Sequence, residues 1–113
     1  MRTYQLFIEL AKDTEIQVGK LGKFSFPAGN YVYTGSARKN MEARIQRHFS
    51  KDKKLRWHID YLLNSPHAQI TDSRLSKKEE CALNQQTNGE IIVPRFGASD
   101  CKNGCGSHLK YFQ

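Results

Sequence analysis

The chain has 113 residues, of which 38% are hydrophobic and 11% aromatic. That length predicts a single domain over residues 1–113, and the apolar content supports one hydrophobic core, which excludes an intrinsically disordered chain. Lysine and arginine number 18 against 11 acidic residues, so the formal net charge is +7, and this balance favours a polyanion as partner.

The apolar runs are too short for a membrane protein. The longest, Ile59 to Leu63, is interrupted by Asp60 and is far short of the ~20 residues that a membrane-spanning helix needs. Glu9 lies where a signal peptide would have its apolar segment, and no cleavage site follows it. We therefore expect a cytoplasmic protein without a membrane span, whose three cysteines are thiols or metal ligands rather than disulfides.

The first half of the chain has the patterns of β-structure. Thr3 to Leu10 alternates apolar and other residues, which is typical of a strand with one face in the core. Glu15 to Val18 and Lys23 to Phe26 flank a glycine-containing turn and predict a hairpin. Asn30 to Thr34, which is aromatic and β-branched, predicts a further strand that stops at Gly35.

Helical spacing dominates the second half. Asn40 is a good N-cap for an amphipathic helix that reaches Phe49, and Leu55 to Leu63 predicts a second, more deeply buried helix. The capping-box pattern Ser76 to Glu79 predicts a third helix from about Lys77 to Gln86. Short strands are expected at Ala68–Thr71, Glu90–Val93 and Ser107–Phe112. The predicted fold class is α+β, an antiparallel sheet with helices packed on it.

Three strand tyrosines form the first group of candidate residues: Tyr4, Tyr31 and Tyr33. Tyrosines favour strands and stack across them, so packing alone accounts for any one of them. Tyr33 differs because Gly35 near the strand end lets a ligand approach the backbone, where a phenol meets a phosphate or a water.

The first helix carries the second group. Arg44 and His48 are four residues apart and so lie on one face, at the margin of the apolar stripe. A guanidinium at that margin needs a partner, and a phosphate is a bidentate one. Arg38, Lys39 and Arg47 supply either a positive field for phosphates or a solvated charged face.

An acidic pair opens the third predicted helix. Glu79 is the capping-box glutamate. Glu80 points about 100° away on the helical wheel and is not used by the cap, so it is free to hold a hard divalent cation through oxygen.

Thiols and an imidazole cluster near the end of the sequence. Cys101, Cys105 and His108, with Cys81 distant in sequence, have the ligand types of a zinc site. The usual zinc knuckle spaces its cysteines two apart, so buried or loop thiols are the alternative interpretation.

Short motifs follow one another along nearly the whole chain. They are Thr3-Tyr4, Phe26 to Gly29, Tyr31 to Ala37, Glu42 to Arg44 with Arg47-His48, Trp57 to Leu63, Glu80-Cys81, Phe96 to Cys101, and Cys105 to Leu109. Their order resembles the GIY-YIG nuclease superfamily, and more closely its small stand-alone branch, which also occurs fused to DNA glycosylases of the endonuclease III type. The resemblance implies a small antiparallel sheet flanked by helices, and an endonuclease that hydrolyses phosphodiester bonds in DNA with one Mg²⁺ or Mn²⁺.

The resemblance also implies catalytic roles. Tyr4 and Tyr33 match the tyrosines of the two half-motifs, and Arg44 matches the helix arginine. His48 stands where relatives have a tyrosine or histidine, and Glu80 stands at the metal ligand's place. A tyrosine near the metal would accept a proton from water with the cation's help, while Arg44 offsets the negative charge of the transition state. The residues expected to contact nucleic acid are Arg38, Lys39 and Arg47.

The sequence departs from the superfamily pattern at three positions. Arg2 replaces a glycine, Thr34 an isoleucine, and Ser36 the lysine that many of these nucleases have beside the active tyrosine. That lysine would help to depress the pKa of the phenol. Two alternatives therefore stay open: a nucleic-acid-binding module of the same fold that does not cut, and a small zinc-binding interaction protein. Basic charge sets affinity and leaves the choice between DNA and RNA open.

Overall fold

The computed structural model describes residues 3–37, 39–50, 54–97 and 106–112. Its strands are β1 (Thr3–Leu10), β2 (Thr14–Val18), β3 (Gly22–Phe26), β4 (Gly29–Ser36), β5 (Ala68–Ser76) and β6 (Leu109–Phe112). Its α-helices are α1 (Met41–Phe49), α2 (His58–Leu63) and α3 (Glu80–Gln86). The predicted α+β class is confirmed. No helix in these ranges is long and apolar enough to cross a membrane.

A four-stranded antiparallel sheet in the order β5-β1-β4-β6 forms the centre of the fold, and β2 and β3 form a separate hairpin. Alternate side chains of β1 point to one face of the sheet. The register sets Tyr4 opposite Gly35 and Leu6 opposite Tyr33. Tyr4 and Leu6 are at most 1% exposed, so this face of the sheet is the core face. The register therefore brings both candidate tyrosines to the core face, side by side.

A buried ion pair joins α1 to the start of α2. The guanidinium of Arg47 donates to both carboxylate oxygens of Asp60, at 2.9 and 3.1 Å. The same carboxylate accepts the backbone N–H groups of Arg56 and Trp57, each at 2.9 Å. Asp60 is fully buried, and these four bonds replace the water it has lost. The second helix is shorter than predicted and begins at His58. The amides of the two residues before it bind the Asp60 carboxylate instead of continuing the helix.

The predicted capping box is wrong. Ser76 is the last residue of β5, where it pairs with Thr3, and its hydroxyl accepts the amide of Lys78 at 3.1 Å in a local turn. The helix begins at Glu80, and Glu79 at the N-cap makes no side-chain capping bond. Pairing with β1 has extended the strand through the residues whose local pattern favours a helix start.

Three strand predictions also need correction. β5 runs to Ser76 rather than Thr71, because it pairs along the length of β1. β4 continues through Gly35, which does not end it. Residues 90–93 form no strand and contribute a single bridge, from Glu90 to Tyr111. The predicted C-terminal edge strand is confirmed as β6.

Candidate active site

Two phenols, from β1 and β4, meet an imidazole from α1. The hydroxyl of Tyr4 lies 2.6 Å from Nε2 of His48. The ring of Tyr33 lies 6.4 Å from that of Tyr4 and 6.2 Å from that of His48, measured between centroids. The structure thus brings together three of the predicted residues, which come from three different elements.

Gly35 provides the space for this cluster. A Cβ at this position would lie 2.6 Å from the hydroxyl oxygen of Tyr4 and 3.0 Å from Cε2 of Tyr33. Both distances are far below a normal contact, so any side chain here would displace the phenols. The phenol of Tyr4 therefore packs directly against the backbone of β4 at Gly35.

A turn near residue 97 packs against the other edge of Tyr33. Gly97 has a φ of +66°, and a Cβ there would lie 2.9 Å from Cε1 of Tyr33. Its backbone N–H donates to Nδ1 of His58 at 2.9 Å. Glycine is needed here for both backbone and space, and His58 holds the turn in place.

Arg44 joins the cluster from α1. Its Nη1 donates to the carbonyl oxygen of Ser36 at 3.1 Å, and its guanidinium lies 4.7 Å from the ring centroid of Trp57. Trp57 also lies 5.8 Å from the imidazole of His48. One indole therefore contacts both of the α1 residues that were predicted to belong to the site.

Glu80 approaches from the start of α3. Its Oε2 lies 2.6 Å from Nδ1 of His108, and the hydroxyl of Ser36 donates to the same carboxylate. Partial burial raises the pKa of Glu80, but the bonds from His108 and Ser36 and the charges of His108 and Arg44 outweigh it and hold the pKa below its usual value. The carboxylate is therefore ionised at neutral pH, and its side chain is 27% exposed, within reach of solvent.

Burial dominates the chemistry of the phenols. Desolvation raises the pKa of Tyr4 above its ordinary value, although the charge of Arg44 opposes the rise. Burial and the neighbouring Tyr4 also raise the pKa of Tyr33. Both phenols therefore carry their protons at neutral pH, and the hydroxyl of Tyr4 shares a hydrogen bond with Nε2 of His48.

The residues predicted to contact nucleic acid have different positions. Lys39 is exposed just before α1. Arg47 is bound to Asp60 as described above and lies 4.3 Å from the ring centroid of Trp57, which gives it a structural role that the sequence pattern did not predict. Arg38 lies outside the described residues.

His108 is the principal site residue that the catalytic interpretation missed. The sequence pattern grouped His108 with cysteines as a zinc ligand. The signal that it belongs beside Glu80 was its position in the last motif of the resemblance, Cys105 to Leu109. Its Nε2 lies 4.0 Å from Sγ of Cys81. Cys101 and Cys105 lie outside the described residues. Within the described ranges, no group of three or more histidine, cysteine and acidic side chains is arranged to hold a metal ion.

The site fits a hard cation that takes one ligand from the protein and the rest from water and substrate phosphates. Mg²⁺ is held in many enzymes by one or two carboxylates, with waters and substrate phosphates completing its shell. Glu80 supplies one ionised carboxylate, of which Oε2 is engaged by His108. This carboxylate is a donor of the kind that Mg²⁺ or Mn²⁺ takes from a protein.

Comparison with known proteins identifies a family. The family profile described as "Domain of unknown function DUF123" matches residues 3–113. This range includes every strand and helix from β1 to β6. No curated protein and no solved structure matches the chain.

Proposed function

The chain belongs to the DUF123 family, and we propose that it is a metal-dependent endonuclease of the GIY-YIG type that hydrolyses phosphodiester bonds in DNA. The observation that supports this most is the meeting of one carboxylate, one guanidinium, one imidazole and two phenols in one place. They come from α3, α1, β1 and β4, and are Glu80, Arg44, His48, Tyr4 and Tyr33. The net charge of +7 suits a polyanionic substrate. We propose that the reaction takes place in the cytoplasm.

Tyr4 and His48 supply a route for the proton of the attacking water. The phenol is protonated at neutral pH, so it accepts a proton only as it gives its own away. Nε2 of His48 is 2.6 Å from the phenol oxygen and is the atom that receives this proton. Such a relay does not need the lysine that is absent at Ser36, because the imidazole rather than a lowered phenol pKa drives the transfer.

Arg44, and the cation that Glu80 would hold, offset the negative charge of the reacting phosphate. The guanidinium of Arg44 offsets the negative charge that grows on the phosphoryl oxygens, and its bond to the Ser36 carbonyl fixes its position. Glu80 would hold Mg²⁺ or Mn²⁺, which supplies polarisation of a phosphoryl oxygen and stabilisation of the leaving oxygen. His108 and Ser36 keep this carboxylate ionised and oriented.

The test compares two adjacent glutamates. We expect Glu80→Gln to abolish cleavage of supercoiled plasmid and branched DNA in Mg²⁺ or Mn²⁺ while DNA binding is retained. Glu79→Gln is the matched control, because Glu79 is exposed and makes no side-chain capping bond, and it should cut like the wild type. Unaltered cleavage by Glu80→Gln would contradict the proposal.

A second candidate function is a nucleic-acid-binding module that does not cut. The observation that favours it is the burial of both phenols, since Tyr4 is 1% and Tyr33 9% exposed. Under this alternative the wild type binds DNA without cleaving it in either cation. Tyr4→Phe and His48→Gln then have no cleavage activity to reduce. Cleavage that depends on both residues excludes it.

A further inference from the structure

We propose that Arg56 binds a phosphate of the nucleic-acid strand, beside the phosphate that Arg44 would contact in the candidate active site. Arg56 directly precedes Trp57 and is exposed. Its guanidinium lies 5.7 Å from the ring centroid of Trp57, and that of Arg44 lies 4.7 Å from the same centroid. The inference rests on the proposed function for its ligand, a nucleic acid, but it does not require that the chain cuts this ligand.

The indole of Trp57 gathers three guanidinium groups. The third, that of Arg47, lies 4.3 Å from the ring centroid and forms an ion pair with Asp60 at 2.9 Å. This carboxylate therefore neutralises one of the three cations. Within the described ranges, no ion pair joins Arg44 or Arg56 to an acidic side chain. The cluster around the indole thus carries more positive than negative charge.

Two guanidinium groups held this close together attract an anion. Because their distances to the shared centroid are 4.7 and 5.7 Å, the groups of Arg44 and Arg56 are no more than about 10 Å apart. One strand of duplex DNA carries a phosphate about every 3.4 Å along the helix axis, so neighbouring phosphates of one strand fit within that distance. A bound phosphate would relieve the repulsion between the two cations, and a guanidinium binds a phosphate through two parallel hydrogen bonds.

Contacts within the protein prepare Arg56 for binding. Its backbone N–H donates to Oδ2 of the buried Asp60 at 2.9 Å, and its guanidinium is attracted to the indole of Trp57. A long side chain loses conformational freedom when it binds a ligand, and one that is already held loses less. Because Arg56 is exposed, its N–H donors are accessible from solvent.

The same indole connects Arg56 to the candidate active site. The ring centroid of Trp57 lies 5.8 Å from that of His48, whose Nε2 is 2.6 Å from the hydroxyl of Tyr4. Arg44 is the guanidinium to which the proposed reaction assigns the reacting phosphate. A phosphate on Arg56 is therefore a neighbour of the reacting one, and this second contact would fix the line along which the strand crosses the site.

Arg74 provides a matched control for Arg56. It is also exposed, and its guanidinium lies 4.9 Å from the ring centroid of Phe7. It differs in forming an ion pair with Asp72 at 3.4 Å. It also lies on the sheet face away from Tyr4, because the next residue of β5 is the one that pairs with Tyr4. Arg56→Gln and Arg74→Gln each remove one positive charge that is stacked on an aromatic ring.

The experiment measures the affinity of the full chain for a fluorescently labelled DNA duplex, by anisotropy, at several salt concentrations and without divalent cation. We expect Arg56→Gln to reduce the slope of log affinity against log salt by about 0.9, which corresponds to one phosphate contact. The same loss weakens binding roughly eightfold at about 0.1 M salt. Arg74→Gln should keep the slope of the wild type, and Arg56→Lys should restore it because lysine retains the charge.

The result does not depend on cleavage. A wild type that binds DNA without cutting it would contradict the proposed nuclease, whereas the difference in slope would still support a phosphate contact at Arg56. Urea midpoints equal to that of the wild type establish that the variants are folded. The proposal is overturned if the wild type does not bind the duplex, if Arg56→Gln keeps the wild-type slope, if Arg74→Gln loses as much, or if Arg56→Lys restores nothing.

Discussion

Replacing Gly35 by alanine tests whether the Tyr4 phenol must pack directly against the backbone of β4. The new Cβ would lie 2.6 Å from the hydroxyl oxygen of Tyr4 and 2.7 Å from its Cζ. An ordinary contact begins at 3.4 Å, so the phenol must move by about 0.8 Å or the strand must shift. Tyr4 is almost fully buried and bonded to His48, so neither movement is easy.

The expected loss of stability follows from three contributions. At a backbone conformation that alanine tolerates, Gly→Ala stabilises a protein by about 0.4–1 kcal/mol, because the unfolded chain has less freedom. Overpacking a core costs about 1–3 kcal/mol, and loss of the buried Tyr4–His48 bond costs about 1 kcal/mol more. The net change in the free energy of unfolding is a loss of about 1–3 kcal/mol, or roughly 4–12 °C in Tm for a chain of this length.

Urea denaturation of wild type and Gly35→Ala measures this change, and a double-mutant cycle identifies its cause. In a Tyr4→Leu background, where the shorter side chain no longer reaches position 35, Gly35→Ala should cost less than in the wild type, because only the 3.0 Å contact with Cε2 of Tyr33 remains. A Gly35→Ala variant at least as stable as the wild type, or an equal cost in both backgrounds, would refute the steric reasoning. In the proposed nuclease the single variant also loses cleavage, because the hydroxyl of Tyr4 is displaced from Nε2 of His48.

Three further predictions concern charge. Although burial opposes it, bonds from Arg47 and two backbone amides lower the pKa of Asp60 in the folded chain, so the unfolded chain takes up this proton at higher pH. Stability is therefore present above about pH 4 and falls as the pH drops through the folded pKa, and Asp60→Asn should flatten that fall in urea titrations at successive pH values. Trp57→Leu should cost about 1–2 kcal/mol in the same assay, because the indole lies under the guanidinium groups of Arg44 and Arg47. Lys39→Ala should reduce the slope of log affinity for duplex DNA against log salt by about 0.9.

Each of these has a result that contradicts it. For Asp60 it is an acid-induced fall as steep in Asp60→Asn as in the wild type. For Trp57 it is an unchanged free energy of unfolding, with Phe49→Leu as the control for a second, half-exposed aromatic residue. For Lys39 it is a salt slope equal to that of the wild type.

Much of the β-structure could be predicted because its signals are local. The alternation in Thr3–Leu10 gives the bounds of β1, and the glycines between β2 and β3 mark their turn. Gly35 was misinterpreted as the end of a strand, because its actual role is to leave room for Tyr4, a residue from another strand. A glycine required by a distant side chain has no local signature.

The helix starts were harder to predict, because tertiary contacts decide them. The pattern at Ser76 to Glu79 fits a capping box, but pairing with β1 retains Ser76 in a strand. Leu55 has helical spacing, yet it is 37% exposed and precedes a helix that begins at the amides bound by Asp60. In both places long-range bonds outweigh a weak local preference.

The candidate site shows the same division. The resemblance selected five residues from scattered motifs, and the fold brings them together; that they act on a phosphodiester stays a prediction. The capping box that distinguishes Glu80 from Glu79 in the sequence pattern does not form. Glu80 occupies the site because His108 and Ser36, far away in sequence, bind its carboxylate.

The separation of Tyr4 from His108 along the chain has a consequence for biosynthesis. Translation releases β1 first, whereas the imidazole that orients Glu80 leaves the ribosome more than a hundred residues later. A nascent polypeptide therefore has its phenols long before it has an oriented carboxylate. In the proposed nuclease, the order of synthesis would therefore keep an unfinished chain from cutting nucleic acid.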